Sequence, residues 1–138
     1  MTFSGFPRKV RYTPVPGPLF GPLIEQIDNL AELKCTLRVI WLLHEKKGYP
    51  RFVTLRELLA DRTLVKALDD GNHSSTETIM PAMEKAVERG TFATGTLRKK
   101  GTCEQLYMLN TDQDRNAMAR MMNGGISVGI STQAEPWE

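Results

Sequence analysis

Cysteine is scarce in this 138-residue chain: Cys35 and Cys103 are the only two. Two thiols cannot staple a disulfide mini-domain, and neither stands at a zinc-ligand spacing from His44 or His73, so buried free thiols in a reducing cytoplasm and no metal are expected. Long apolar runs are missing too, and Met1 to Pro7 has no apolar stretch behind a basic start, so neither a membrane span nor a signal peptide is expected. Neither sign of charge dominates, with 18 Lys+Arg against 16 Asp+Glu and a net charge of +2. Signatures of catalysis are absent as well. There is no Walker loop, no glycine-rich turn between strand and helix, no nucleophile elbow and no carboxylate pair with a basic partner, so no enzymatic activity and no cofactor are expected. What remains is 41% hydrophobic and 25% charged residues, enough apolar side chain for the core of one ordinary domain.

The chain divides into three stretches. Residues 1–17 hold Arg8, Lys9 and Arg11, no acidic residue and several prolines, which excludes a helix and leaves an extended basic arm. Within it Lys9-Val10-Arg11-Tyr12-Thr13 alternates polar and apolar side chains as a short strand does. Residues 18–122 carry readable periodicity, and residues 123–138, rich in Gly, Ser, Thr and Gln, read as a flexible tail or linker.

In the middle stretch Phe20, Leu23, Ile24 and Ile27 predict a short helix over Pro18 to Asp28. Leu30, Leu33, Leu37, Ile40, Trp41 and His44 predict a longer one to Lys47, with that stripe facing the core and His44 packed in it. Arg51-Phe52-Val53 suits a short strand. Thr54-Leu55-Arg56-Glu57 and Ser74-Ser75-Thr76-Glu77 are capping boxes, each opening a helix, and Leu64 to Leu68 either continues the first of these or forms another turn of helix. The second of these helices would bury Ile79, Met83, Ala86 and Val87 and stop at Gly90, while Pro81 bends it or delays its start. Thr91 to Leu97 and Thr102 to Leu109 form a hairpin through Arg98-Lys99-Lys100-Gly101. A last helix, capped by Asn110 or Thr111, ends at Gly124-Gly125.

The fold expected is therefore mainly α with a small β-hairpin, in the order helix, strand, helix, helix, hairpin, helix. That is the order of a winged helix-turn-helix, with the helix after Ser74 in the recognition position and the hairpin as the wing.

The segments Leu30-Ala31-Glu32-Leu33-Lys34 to Trp41, Gly48-Tyr49-Pro50-Arg51-Phe52 and Leu55-Arg56-Glu57-Leu58-Leu59 carry a family resemblance. So do Glu84 to Thr91 and Leu106-Tyr107-Met108-Leu109-Asn110-Thr111. Over roughly residues 2 to 122 the chain resembles the N-terminal winged-helix domain of DnaD-like replication proteins. The resemblance implies a self-associating module for assembling a replication or restart primosome, built partly by an extended N-terminal segment, with other primosome proteins as partners. That family's separate C-terminal helical domain, which binds DNA, is not expected within these 138 residues, so its DNA-binding residues are not carried over.

Candidate surfaces follow from charge and exposure. The cations Arg89, Arg98, Lys99 and Lys100, with Lys85, are candidates for weak phosphate contact, against the plainer reading of a solvated hairpin edge, and weak, non-specific DNA contact is expected through this wing and the basic arm. The helix from Glu77 to Arg89 holds three Glu against Lys85 and Arg89, a net charge of −1 that disfavours reading bases between phosphate walls. Phe6, Val10 and Tyr12 of the arm, and Met118, Met121 and Met122 of the last helix, are candidates for an oligomer interface. A sequence-specific transcriptional regulator and a pure protein-interaction adaptor are the alternative readings.

Overall fold

The computed structural model describes residues 2–99, 101–123 and 127–130. The described chain is mainly helical with a small antiparallel sheet. The expected first helix is divided at Gly21 into a 3-10 turn, Gly17–Phe20, and α1, Pro22–Gln26. Pro22 is the reason. A proline disfavours helical geometry in the residue before it, and the ring then suits the first turn of a new helix.

Helix α2, Leu30–Glu45, is capped by Asn29, whose side chain accepts from the Glu32 amide at 3.0 Å. Its buried face is not the stripe expected from the sequence. Glu32, Cys35, Thr36, Val39, Ile40 and Leu43 are buried, whereas Leu30 and Leu37 are 65% and 44% exposed and His44 is exposed. Glu32 can turn inward because Arg89 neutralises it.

Strand β1, Val53–Thr54, leads directly into α3, Leu55–Ala60, through the Thr54–Glu57 capping box. Asp61 then ends α3 and begins α4, Arg62–Leu68, with its carboxylate accepting from the Leu64 amide at 3.2 Å and from Arg38 at 2.6 Å. Helix α5, Ser75–Arg89, opens on the Ser74–Glu77 box and runs through Pro81 without a break. Gly90, at φ +91°, closes it: the Thr91 amide reaches Ala86 O and the Gly90 amide reaches Val87 O, both at 3.0 Å. This double bond pattern needs a left-handed residue at the turn, which glycine adopts without steric penalty.

Strands β2, Phe92–Lys99, and β3, Thr102–Leu109, pair from Phe92↔Leu109 to Lys99↔Thr102. The hairpin is thus longer than its sequence suggests, with Arg98 and Lys99 inside β2 and Gly101, at φ +79°, in the turn. Helix α6, Asp112–Asn123, is capped by Thr111, which accepts from the Asp114 amide at 3.0 Å. The expected stop at Gly124-Gly125 lies outside the described residues. The stretch 123–138, expected to be a flexible tail or linker, contains β4, Ser127–Ile130, which pairs with β2 from Gly95↔Ile130 to Arg98↔Ser127. Residues 131–138 also lie outside the described residues.

The sheet order is β1-β3-β2-β4. Alternation along the strands divides the core in two. Phe92 and Tyr107 face a cluster with Val39, Leu58, Leu64, Ile79 and Met83 from α2 to α5. Ala93, Leu97, Leu106 and Met108 face Met118 of α6, with Phe52 and Met121 at its edge. The sheet is therefore covered on one face by α2–α5 and on the other by α6.

Candidate functional surfaces

The hairpin and α5 were the expected nucleic-acid contacts, and only part of that set faces solvent. Arg98 is exposed on β2 and Lys85 is exposed on α5. Lys99 occupies the last β2 position opposite Thr102, and Lys100 lies outside the described residues. Arg89 does not belong to this group. Its Nε and Nη2 donate to the two carboxylate oxygens of Glu32 at 2.7 and 2.9 Å, and Nη1 donates to Gln26 O at 3.0 Å. Glu32 is fully buried, and this two-pronged bond holds the Arg89 guanidinium further toward its charged form.

With Arg89 turned inward, the exposed charges of α5 are Glu77, Glu84 and Glu88 against Lys85, or 1 − 3 = −2. Glu84 and Glu88 also border a shallow groove of about 260 Å3 between α5 and the sheet, shared with Thr94, Gln105 and Tyr107. Burial, aided by the nearby Glu84 charge, pushes the Tyr107 phenol up to about 12, so it stays neutral. A phosphate backbone laid along this side meets carboxylates rather than cations.

The arm is exposed but is not a strand. Phe3, Phe6 and Tyr12 are 68%, 81% and 86% exposed, while Val10 is half-buried. The Phe3 and Phe6 rings meet edge to face with centroids 5.0 Å apart. The arm is also shorter than the expected 1–17. Val15 packs on the core, and Pro14, Val15 and Pro16 lie over Ile40, Leu43 and Leu109 beside a cleft of about 390 Å3. A second cleft of about 480 Å3 flanks the same strap, walled by Pro18, Pro22 and Leu23.

The methionines of α6 divide. Met118 is fully buried against Leu106 and Met108, so it is a core residue and not an interface; Met121 is half-buried; the side chain of Met122 lies outside the described residues. The thiols divide as well. Cys35 is buried, and desolvation followed by the Glu32 charge pushes it up to about 12, which makes it inert. Cys103, expected to be buried, is exposed.

Sequence reasoning missed one surface. Leu30, Leu33, Leu37 and Trp41 form a stripe on the side of α2 away from the core, and Arg38 lies 4.2 Å over the Trp41 ring. The spacing was visible and was assigned to the core. Among the described residues, no three His, Cys, Asp or Glu side chains gather as a metal site, and no helix is long and apolar enough to cross a membrane. Comparisons with protein-family models, with curated proteins and with solved structures return no match.

Proposed function

We propose that this chain is a winged-helix module of the DnaD-like kind, which self-associates and serves the assembly of a replication or restart primosome. In this reading α2, β1, α3, α5 and the β2–β3 hairpin are the elements of the winged helix, with α5 in the recognition position. The observation that carries it is the aromatic arm, whose Phe3, Phe6 and Tyr12 stand in solvent, an arrangement suited to covering by another chain. The acidic face of α5 points the same way. A recognition helix with a net exposed charge of −2 is poorly suited to a major groove, so DNA contact is weak, independent of sequence, and made through Arg98 and its neighbours.

Sedimentation equilibrium tests self-association: a concentration-dependent oligomer is expected in the micromolar range, and a clean monomer at several hundred micromolar overturns the reading. Anisotropy titrations with random and selected duplexes test the other half. Tight binding to one site over random DNA at physiological salt would instead support a sequence-specific regulator, and no binding even at low salt would support a pure adaptor.

A further inference from the structure

Helix α2 is apolar on two sides. One side builds the core through Cys35, Val39, Ile40 and Leu43. On the other, Leu30 and Leu37 are exposed and Leu33 and Trp41 are half-buried. At about 100° per residue, Leu30, Leu33, Leu37, Trp41 and His44 fall within an arc of about 80°, along about 21 Å of helix axis. A helix in a single small domain normally presents charge on its solvent side. Here neither cation on that side stands free over the leucines: Lys34 donates to Ala67 O at 2.8 Å, and Arg38 binds Asp61 while its guanidinium lies over the Trp41 ring at one end of the stripe.

The spacing of 30, 33, 37 and 44 is that of a coiled-coil seam, and such a seam matches a second copy of itself. The charges at its two ends specify the direction. Exposed Asp28 precedes the stripe and exposed Lys47 follows it. Antiparallel pairing about Leu37 sets Leu37 against Leu37, Leu33 against Trp41, Leu30 against His44, and the Asp28 end of each helix against the Lys47 end of the other. Parallel pairing would set like charges together and align the two helix dipoles.

We propose that the outer face of α2 is the surface on which two copies of this chain pair, antiparallel and two-fold symmetric about Leu37. This rests on the self-association reading above and adds a second surface to the arm that carries it. The geometry is isologous, so each substitution acts twice in the dimer.

Sedimentation equilibrium of the full chain and its variants tests it. Leu37→Glu, at a position 44% exposed in one copy, is expected to leave the circular dichroism spectrum unchanged and to weaken pairing at least ~10-fold, because two carboxylates then meet at the axis. Asp28→Lys and Lys47→Asp are each expected to weaken pairing about fivefold at low salt, and their combination to restore it. That rescue cannot arise from misfolding. Wild-type chains that associate but are indifferent to Leu37→Glu, or charge reversals without rescue, overturn this surface while leaving self-association standing. A wild type that is monomeric overturns both and leaves the stripe to a different protein.

Discussion

At the scale of single residues, the pair Glu32–Arg89 decides most. A glutamate in the first turn of α2 would ordinarily face water, yet its side chain is fully enclosed and that of Arg89 is only 19% exposed. The two-pronged bond, 57 residues apart in sequence, is what allows α2 to bury the side that carries a carboxylate. Removing one partner leaves an uncompensated buried charge, which typically destabilises by about 3–5 kcal/mol. Arg89→Met is therefore expected to lower the unfolding free energy measured by urea denaturation by that much, and the double variant Glu32→Gln with Arg89→Met to regain a large part of it. A loss below about 1 kcal/mol in the single variant would mean that Glu32 reaches water by another route. The same pair explains why charge counting along α5 misjudged Arg89: a cation in the last turn of a helix looks available until its acceptor is known.

At the scale of elements, local chemistry was legible and long-range chemistry was not. Both capping boxes, the Gly90 stop and the hairpin follow from residues within a few positions of one another, and each is present. The orientation of α2 is different, because its two apolar sides satisfy helical periodicity equally and Arg89 selects between them. β4 was missed for a related reason: Ser127-Val128-Gly129-Ile130 is too short to declare itself, and it forms only because β2 offers an open edge. Of the candidate contact set, Arg98 and Lys85 were readable, since an isolated surface cation needs no partner to stay exposed. The loop between α4 and α5 gives a pH test. Asp70 accepts from the Asn72 and His73 amides and meets His73 Nδ1, each at 2.9 Å. The Asp70 hydrogen bond and charge raise His73 above its ordinary value of 6.5, and the same bond, with the two amides, lowers Asp70 to about 2. The His73 contribution to loop order is thus complete below pH 6.5 and lost as pH rises through the raised value, while that of Asp70 is lost as pH falls toward about 2. A proton NMR titration is expected to find His73 titrating above 6.5 and to find Asp70→Asn lowering it toward the ordinary value. An unchanged midpoint in that variant would remove Asp70 as the cause.

At the scale of the whole molecule, a net charge of +2 conceals a segregated surface. Arg8, Lys9 and Arg11 lie in the arm, Arg98 and Lys99 in β2 with Lys100 next in sequence, and the carboxylates Glu77, Glu84 and Glu88 on the α5 side. If the proposed DNA contact exists, segregation of this kind sets how its affinity responds to salt. Each phosphate neutralised on duplex DNA contributes a slope of about 0.9 in log K against log salt. Contact through the three hairpin cations alone predicts a slope near −2.7, which is about a 40-fold loss between 50 and 200 mM salt, whereas engagement of the arm's three cations as well would about double the slope. Because α2 pairing uses a different face, replacing Arg98, Lys99 and Lys100 together by alanine is expected to flatten the salt dependence to near zero without altering the sedimentation of the free protein. A triple variant that retains a slope of about −2.7 would place the contact in the arm, and one that falls apart into monomers would make the hairpin part of the protein–protein interface.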